Sequence, residues 1–200
     1  MEILVACEFS GIVRDALIDR GHHAYSCDLL SSERNGPHIM GDVLKVLDKG
    51  WDMMIAFPPC THLAVSGARY FKQKAIEQEN ALEFVRKLLD APIERIALEN
   101  PVSIISSRIR KPDQIIQPYQ FGHDASKRTC LWLKNLSPLR PTKLIPGRSI
   151  DGRLRWANQT DSGQNRLTPN EHRAESRSRT YQGIAEAMAD QWAGLVEGRR

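Results

Sequence analysis

Between Ile3 and Leu133 the chain alternates between two textures. Short apolar-rich runs, Ile3–Ala6, Met53–Phe57, Ile93–Leu98 and Thr129–Leu133, each stop at polar or turn-forming residues. Runs of this length and composition predict strands buried on both faces. A further strand is predicted at His23–Cys27, ending at Asp28. Between the strands the period lengthens. Ile12, Val13, Ala16 and Leu17 recur at helical spacing, with Gly21 placed as a C-terminal cap. Gly67–Leu89 predicts a long helix with Phe84, Val85, Leu88 and Leu89 on one face, and Ile184–Val196 predicts a final amphipathic helix. The opening is therefore a βαβ unit, and the alternation that follows predicts an α/β class with a doubly wound, mostly parallel sheet. Thr129–Leu133 is predicted as its last strand. Past Pro138 the texture turns loop-like, rich in Pro, Gly and polar residues. This divides the chain into an α/β domain at 1–137, a loop-rich segment at 138–180, and a helix at 181–200 that packs back on the domain.

Composition narrows the class. With 41% hydrophobic and 26% charged residues in 200, the chain is neither fibrous nor mainly disordered. Lys and Arg number 28 against 24 acids, a net charge of +4 that leans toward nucleic acid without resembling a basic tail. Arg140, Lys143, Arg148, Arg153, Arg155 and Arg166 concentrate the excess in the loop-rich segment, with the run Arg173, Arg177, Arg179 beyond it. No apolar run approaches the roughly 20 residues of a membrane span, and the opening segment is too short for a signal peptide. Cys7, Cys27, Cys60 and Cys130 form no Cys-x-x-Cys pair, which predicts reduced thiols in a cytoplasm and no metal site.

In an open parallel sheet, ligands bind beyond the carboxyl ends of the strands. The residues predicted there are Glu8-Phe9-Ser10-Gly11 after the first strand, Asp28 after the second, and Asp42 behind Gly41. Pro58-Pro59-Cys60 and Glu99-Asn100 close the next two. A lone glycine turn or a lone aspartate is commonly only a loop. Asp28, however, stands 17 residues past Gly11, close to the roughly 20-residue spacing at which an acid meets a ribose hydroxyl. Cys7, Cys27 and Cys130 lie within apolar runs and are expected as small buried hydrophobes. Cys60 differs, because two prolines rigidly present it at a strand end.

Taken together, Phe9-Ser10-Gly11, Pro58-Pro59-Cys60 and Glu99-Asn100-Pro101 resemble the DNA cytosine-5 methyltransferase family, most of all its short phage and mobile-element members. The likeness covers nearly the whole chain. It implies a Rossmann-like class I methyltransferase fold with a very short recognition insertion, acting in a bacterial or phage-infected cytoplasm. It also implies S-adenosylmethionine as cofactor, held by Glu8, Phe9, Ser10 and Gly11, by Asp28 and Leu29, by Asp42 and Val43, and by Pro58. The catalytic set implied is Cys60 as nucleophile, Glu99 at the cytosine ring, Asn100 as its support, and Arg128. DNA is the implied partner, met by Pro59, Lys127, Arg128, Arg153 and Arg155. Here the chain departs from the family pattern in four places: one glycine in the first loop, Pro101 for the usual valine after Glu-Asn, Lys127-Arg128-Thr129 for Gln-x-Arg-x-Arg, and Tyr181–Ala187 for a Gly-Asn helix start.

The implied chemistry needs these residue types. Cytosine C5 is a poor nucleophile until a thiolate adds at C6, and a carboxyl group at N3 offsets the charge that develops. Flipping brings a duplex base to such a site. Enzymes methylating exocyclic nitrogens usually follow Pro-Pro with a stacking aromatic, so cysteine argues against them. Two other readings stay open at the level of sequence. The same fold and thiol chemistry suits RNA, a free cytosine nucleotide or a modified methyl donor, and a non-catalytic nucleic-acid-binding relic would retain the fold alone.

Overall fold

The computed structural model describes residues 1–65, 74–166 and 178–195. Its centre is a seven-stranded sheet in the order β3-β2-β1-β4-β5-β7-β6. The strands are β1 (Glu2–Ala6), β2 (His23–Asp28), β3 (His38–Met40), β4 (Met53–Ala56), β5 (Arg95–Pro101), β6 (Gln114–Ile116) and β7 (Thr129–Lys134). β1 to β5 pair in parallel, and β7 runs antiparallel to both its neighbours. The chain winds outward from β1 through β2 to β3, then crosses back to β4. The topological switch point, where such sheets open a crevice, thus lies between β1 and β4.

Strand alternation sorts the core into two layers. Ile3, Val5, Met53, Ile55 and Ala97 face α1 (Ile12–Ile18) and a C-terminal helix, while Leu4, Ala6, Met54, Ala56, Ile96 and Leu98 face α2 (Ala75–Leu89). A short α3 (Ile105–Arg108) follows β5, and the C-terminal helix is α4 (Gln182–Met188). α2 buries Gln78, Leu82, Val85 and Leu88, with Phe84 and Leu89 half-buried beside them. The predicted start of this helix, 67–73, lies outside the described residues.

The structure corrects several expectations. β3 and β6 went unpredicted, being three-residue edge strands whose apolar signal is too short to register. β7 is not the last strand. It is followed by a hairpin, β8 (Arg148–Ile150) and β9 (Arg153–Arg155), inside the segment expected to be loop. Asp151 and Gly152 turn the hairpin with φ of 48° and 73°, the left-handed pair favoured in two-residue connections. α4 is shorter than predicted. After Met188 it passes into a π-helical turn, Ala189–Ala193, and Gly194 at φ 73° ends it. Val196 and the basic pair Arg173 and Arg177 lie outside the described residues. Cys27 and Cys130 are buried as expected, but Cys7 is half-buried in the turn after β1 at φ 57°. No disulfide joins the four cysteines.

Candidate active site

Three loops meet at the switch point. Gly11 caps α1 in the left-handed region, φ 74°, and a Cβ there would come within 2.5 Å of Arg14 Nη2. Only glycine satisfies both constraints. Arg14 is completely buried and explains the crowding. Its guanidinium donates to the Asp15 carboxylate, the Ser26 and Ser32 hydroxyls, and the Arg34 and Asn35 carbonyls, at 2.8–3.3 Å. The loop after β2 is thereby tied under the loop after β1, and Glu33 N–H donates to the Phe9 carbonyl at 2.8 Å.

Glu8 is buried, accepts from the Ser10 hydroxyl and from Ile12 N–H at 2.9 Å, and so supports the start of α1. Its second oxygen, Oε2, is buried without a partner, and burial pushes the carboxyl above its usual range. Ser10 is buried with it, while Phe9 stays half-buried. Asp28 and Asp42 stand at neighbouring turns, joined by Gly41 N–H donating to the Asp28 carbonyl at 2.8 Å. One oxygen of each carboxylate accepts a local N–H, Leu30 for Asp28 and Leu44 for Asp42, both at 3.0 Å. Leu29 is 75% exposed, whereas Val43 is buried in the core on the α2 side.

Across the switch point, β4 and β5 end side by side, with Ala56 paired to Leu98. Successive residues of a strand face opposite sides, so Glu99 and Asn100 separate. Asn100 is buried toward the α2 side, where its Nδ2 donates to the Pro58 carbonyl at 2.9 Å. This bond fastens the Pro-Pro-Cys loop to β5, and the bridge between Ala64 and Ser103 continues the attachment. Pro58 is buried, while Pro59 and Cys60 are exposed.

Glu99 points to the other side, into a small pocket lined also by Lys127, Thr129, Thr180, Tyr181, Ile184 and Met188. The reversal of β7 builds this pocket. Because β7 is antiparallel to β5, Pro101 pairs with Thr129, and the approach to β7 lands at the carboxyl edge of the sheet. Lys127 and Arg128, expected just before this strand, arrive there with it. Burial raises the Glu99 carboxyl above its usual range, against the opposing pull of the Lys127 charge and a hydrogen bond from Thr129. The opposite wall is the start of α4. Gly183 N–H donates to His123 Nε2 at 2.9 Å, and a Cβ at Gly183 would overlap the Phe121 carbonyl. The Tyr181 ring packs on His123 with centroids 5.1 Å apart.

The remaining predicted residues lie on the hairpin segment. Arg153 is exposed. Arg155 instead turns inward, with its Nε donating to the Asp161 carbonyl at 3.0 Å. Arg148 donates to the Trp156 and Gln159 carbonyls and to Asp161, at 2.7–3.0 Å. Arg14 and His123 carried no sequence signal, and Thr129 and Gly183 stood only inside partly matched motifs, with no site role assigned to either. Among the described residues no cluster of His, Cys, Asp and Glu is arranged to hold a metal ion, and no helix is long and apolar enough to cross a membrane.

No protein-family model matches the chain, and no curated protein does. Among solved structures it is similar to a protein provisionally described as a DNA modification methyltransferase encoded within an E. coli prophage. That match has 13% identity and a TM-score of 0.48, over 76% of this chain and 53% of the other. It is also similar to a triple mutant of Spodoptera frugiperda DNMT2, with 15% identity and a TM-score of 0.45, over 77% and 57%. The chain thus spans little more than half the length of either.

Proposed function

We propose that the protein is an S-adenosylmethionine-dependent methyltransferase acting on C5 of cytosine in DNA, with Cys60 as the nucleophile. One observation carries this reading. The strand end that presents Glu99, a carboxyl that burial raises above its usual range, to a pocket also fastens the exposed Cys60 loop, through the bond from Asn100 to Pro58. A thiol and an acidic carboxyl anchored to a single pair of strands suit attack on a pyrimidine from one side and protonation of its ring nitrogen from another.

The first loop, Asp28 and Asp42 suit the cofactor. The two carboxylates each keep one oxygen outside their local turn, which matches a ribose diol and an adenine amine as hydrogen-bond donors. The orphaned Oε2 of Glu8 adds an acceptor beneath the same crevice. When bound, S-adenosylmethionine supplies the electrophilic methyl group that C5 takes up.

The chain's own residues account for the rest. The Cys60 thiolate forms a bond to C6, and the electron pair displaced toward N3 meets the Glu99 proton. C5 then carries enamine character. After methylation, water takes the C5 proton, the electron pair left behind expels the thiolate, and the ring proton returns to Glu99. Asn100 positions the loop that carries the nucleophile. Exposed Arg153 and Arg128 face solvent on the segments that approach this edge, where phosphate contacts would orient a duplex.

Incubation with labelled S-adenosylmethionine and DNA, RNA or dCMP tests the reading, alongside Cys60→Ser. Label on DNA cytosine that disappears in the variant is the expected result. Label on RNA or dCMP alone, or none on any acceptor, overturns it.

A further inference from the structure

The segment 140–166 is a folded unit, and it is docked on the loop that delivers Lys127 to Glu99. Tyr119 and Trp156 stack with centroids 4.2 Å apart and planes 10° from parallel. Ile145 N–H donates to the Tyr119 carbonyl at 2.8 Å, and Trp156 Nε1 donates to the Ile145 carbonyl at 3.2 Å. Next to this stack, Asn158 makes a two-way bond with the backbone of one residue. Its Oδ1 accepts from Ser126 N–H and its Nδ2 donates to the Ser126 carbonyl, both at 2.9 Å. Ala157 N–H adds a bond to Asp124 at 2.8 Å. From the other side Gln117 Oε1 accepts from Lys127 N–H at 2.9 Å and from the Ser126 hydroxyl.

A paired amide fixes both position and twist of the backbone it grips, which a single bond does not. Ser126 immediately precedes Lys127, so Asn158 sets the path on which the Lys127 ammonium approaches the pocket. We propose that Asn158 is a positioning residue that couples the basic hairpin unit to the catalytic carboxyl, by holding Lys127 beside Glu99. The proposal rests on the methyltransferase reading for its functional meaning. The basic unit that would contact a nucleic acid is then the same unit that places the charge opposing Glu99's protonation. The polar and titratable groups around Glu99 are Lys127, Thr129, Thr180 and Tyr181 in the pocket, with Cys130 of β7 acting on it electrostatically from the other face of the sheet. Of these, Lys127 alone carries a positive charge, and its approach favours the carboxylate form.

The test follows the Glu99 carboxyl by NMR of protein labelled at the glutamate carboxyl carbon, with the signal assigned through Glu99→Gln. Withdrawal of Lys127 raises the titration midpoint, so Asn158→Ala is expected to raise it by about one pH unit. Lys127→Met raises it too, and the double variant rises no further than Lys127→Met alone, because both changes act through one charge. An unchanged midpoint in Asn158→Ala, or full additivity in the double variant, overturns the proposal. Should Asn158→Ala release the hairpin unit, seen as loss of Trp156 fluorescence changes from the Tyr119 stack, Asn158→Ser replaces it. The serine is too short to hold both Ser126 groups, and the same midpoint rise and non-additivity are required of it. No donor or nucleic acid is needed, so a wild-type protein that transfers nothing to DNA would sink the reaction and leave this coupling standing. In an active enzyme, Asn158→Ala also moves the alkaline limb of kcat to higher pH while KM for the methyl donor stays constant.

Discussion

Glu99 sits in a pocket between β5, β7 and the start of α4, and its raised carboxyl pKa is a statement about stability as well as chemistry. Its folded pKa lies above the unfolded value, so the folded chain binds the proton more tightly, and stability falls as pH rises through that window. Glu99→Gln keeps the shape and removes the charge. It is expected to raise the melting temperature at neutral pH and to flatten its pH dependence there, while abolishing methyl transfer. Thermal melts between pH 5 and 8 check this; a variant whose melting point falls with pH as steeply as wild type contradicts the assignment. Asn100 gives the complementary case. Asn100→Ala removes the bond to Pro58 but also removes Oδ1, which is buried without a partner. The two effects oppose, so stability shifts by only about 1 kcal/mol. A loop that loses its anchor misplaces Cys60, and transfer falls by roughly 100-fold. Parallel melts and single-turnover rates separate the two.

Elements decide which residues meet. The parallel strands β1, β4 and β5 were legible because each is a short apolar run stopped by chemistry-bearing residues; β2 was legible from its place after α1 and its stop at Asp28, and those stops do lie along one sheet edge. The direction of β7 was not legible, since Thr129–Leu133 reads the same in either orientation. Yet that reversal brings Lys127 to Glu99. The hairpin in the loop-rich segment carried a signal, Asp151-Gly152 between two three-residue strands, but arginines at Arg148, Arg153 and Arg155 hid the alternation. The burial of Arg14 had none, because an arginine on a helix face reads as solvated until a loop closes over it. α4 depends on one close approach. Gly183 lies against the Phe121 carbonyl and the His123 ring. Gly183→Ala is expected to cost about 1–3 kcal/mol and to slow methyl transfer, as α4 shifts away from the Glu99 pocket. Urea melts and single-turnover rates read both effects. The His123 contact is sensitive to pH. Its acceptor role needs the neutral ring, and burial lowers its pKa. That contribution is intact above the unfolded value of His and is lost as pH falls through the folded one. A His123→Ala variant should therefore lose this acid-side decline in stability.

At the scale of the whole molecule, the net charge of +4 is small, and its placement matters more than its size. Arginines of the hairpin unit divide into those that build it and those that face outward. Arg148 and Arg155 hold its turns, whereas Arg153 is exposed. If the unit meets nucleic acid, Arg153→Ala reduces the salt slope of DNA binding by about 1 without changing the fold. Arg148→Ala instead destabilises by about 1–3 kcal/mol, because carbonyls it satisfied lose their donor. Binding titrations over a salt series distinguish these; equal slopes for Arg153→Ala and wild type place the nucleic acid elsewhere.

In the proposed mechanism the Cys60 thiol bonds to a cytosine ring. DNA carrying 5-fluorocytosine reads that bond, because fluorine at C5 blocks the proton loss that would release the thiol. In the presence of S-adenosylmethionine, the wild-type protein should form a covalent complex that survives denaturation, and Cys60→Ser should form none. Methyl transfer to ordinary DNA by a wild-type protein that leaves no such complex would contradict the account.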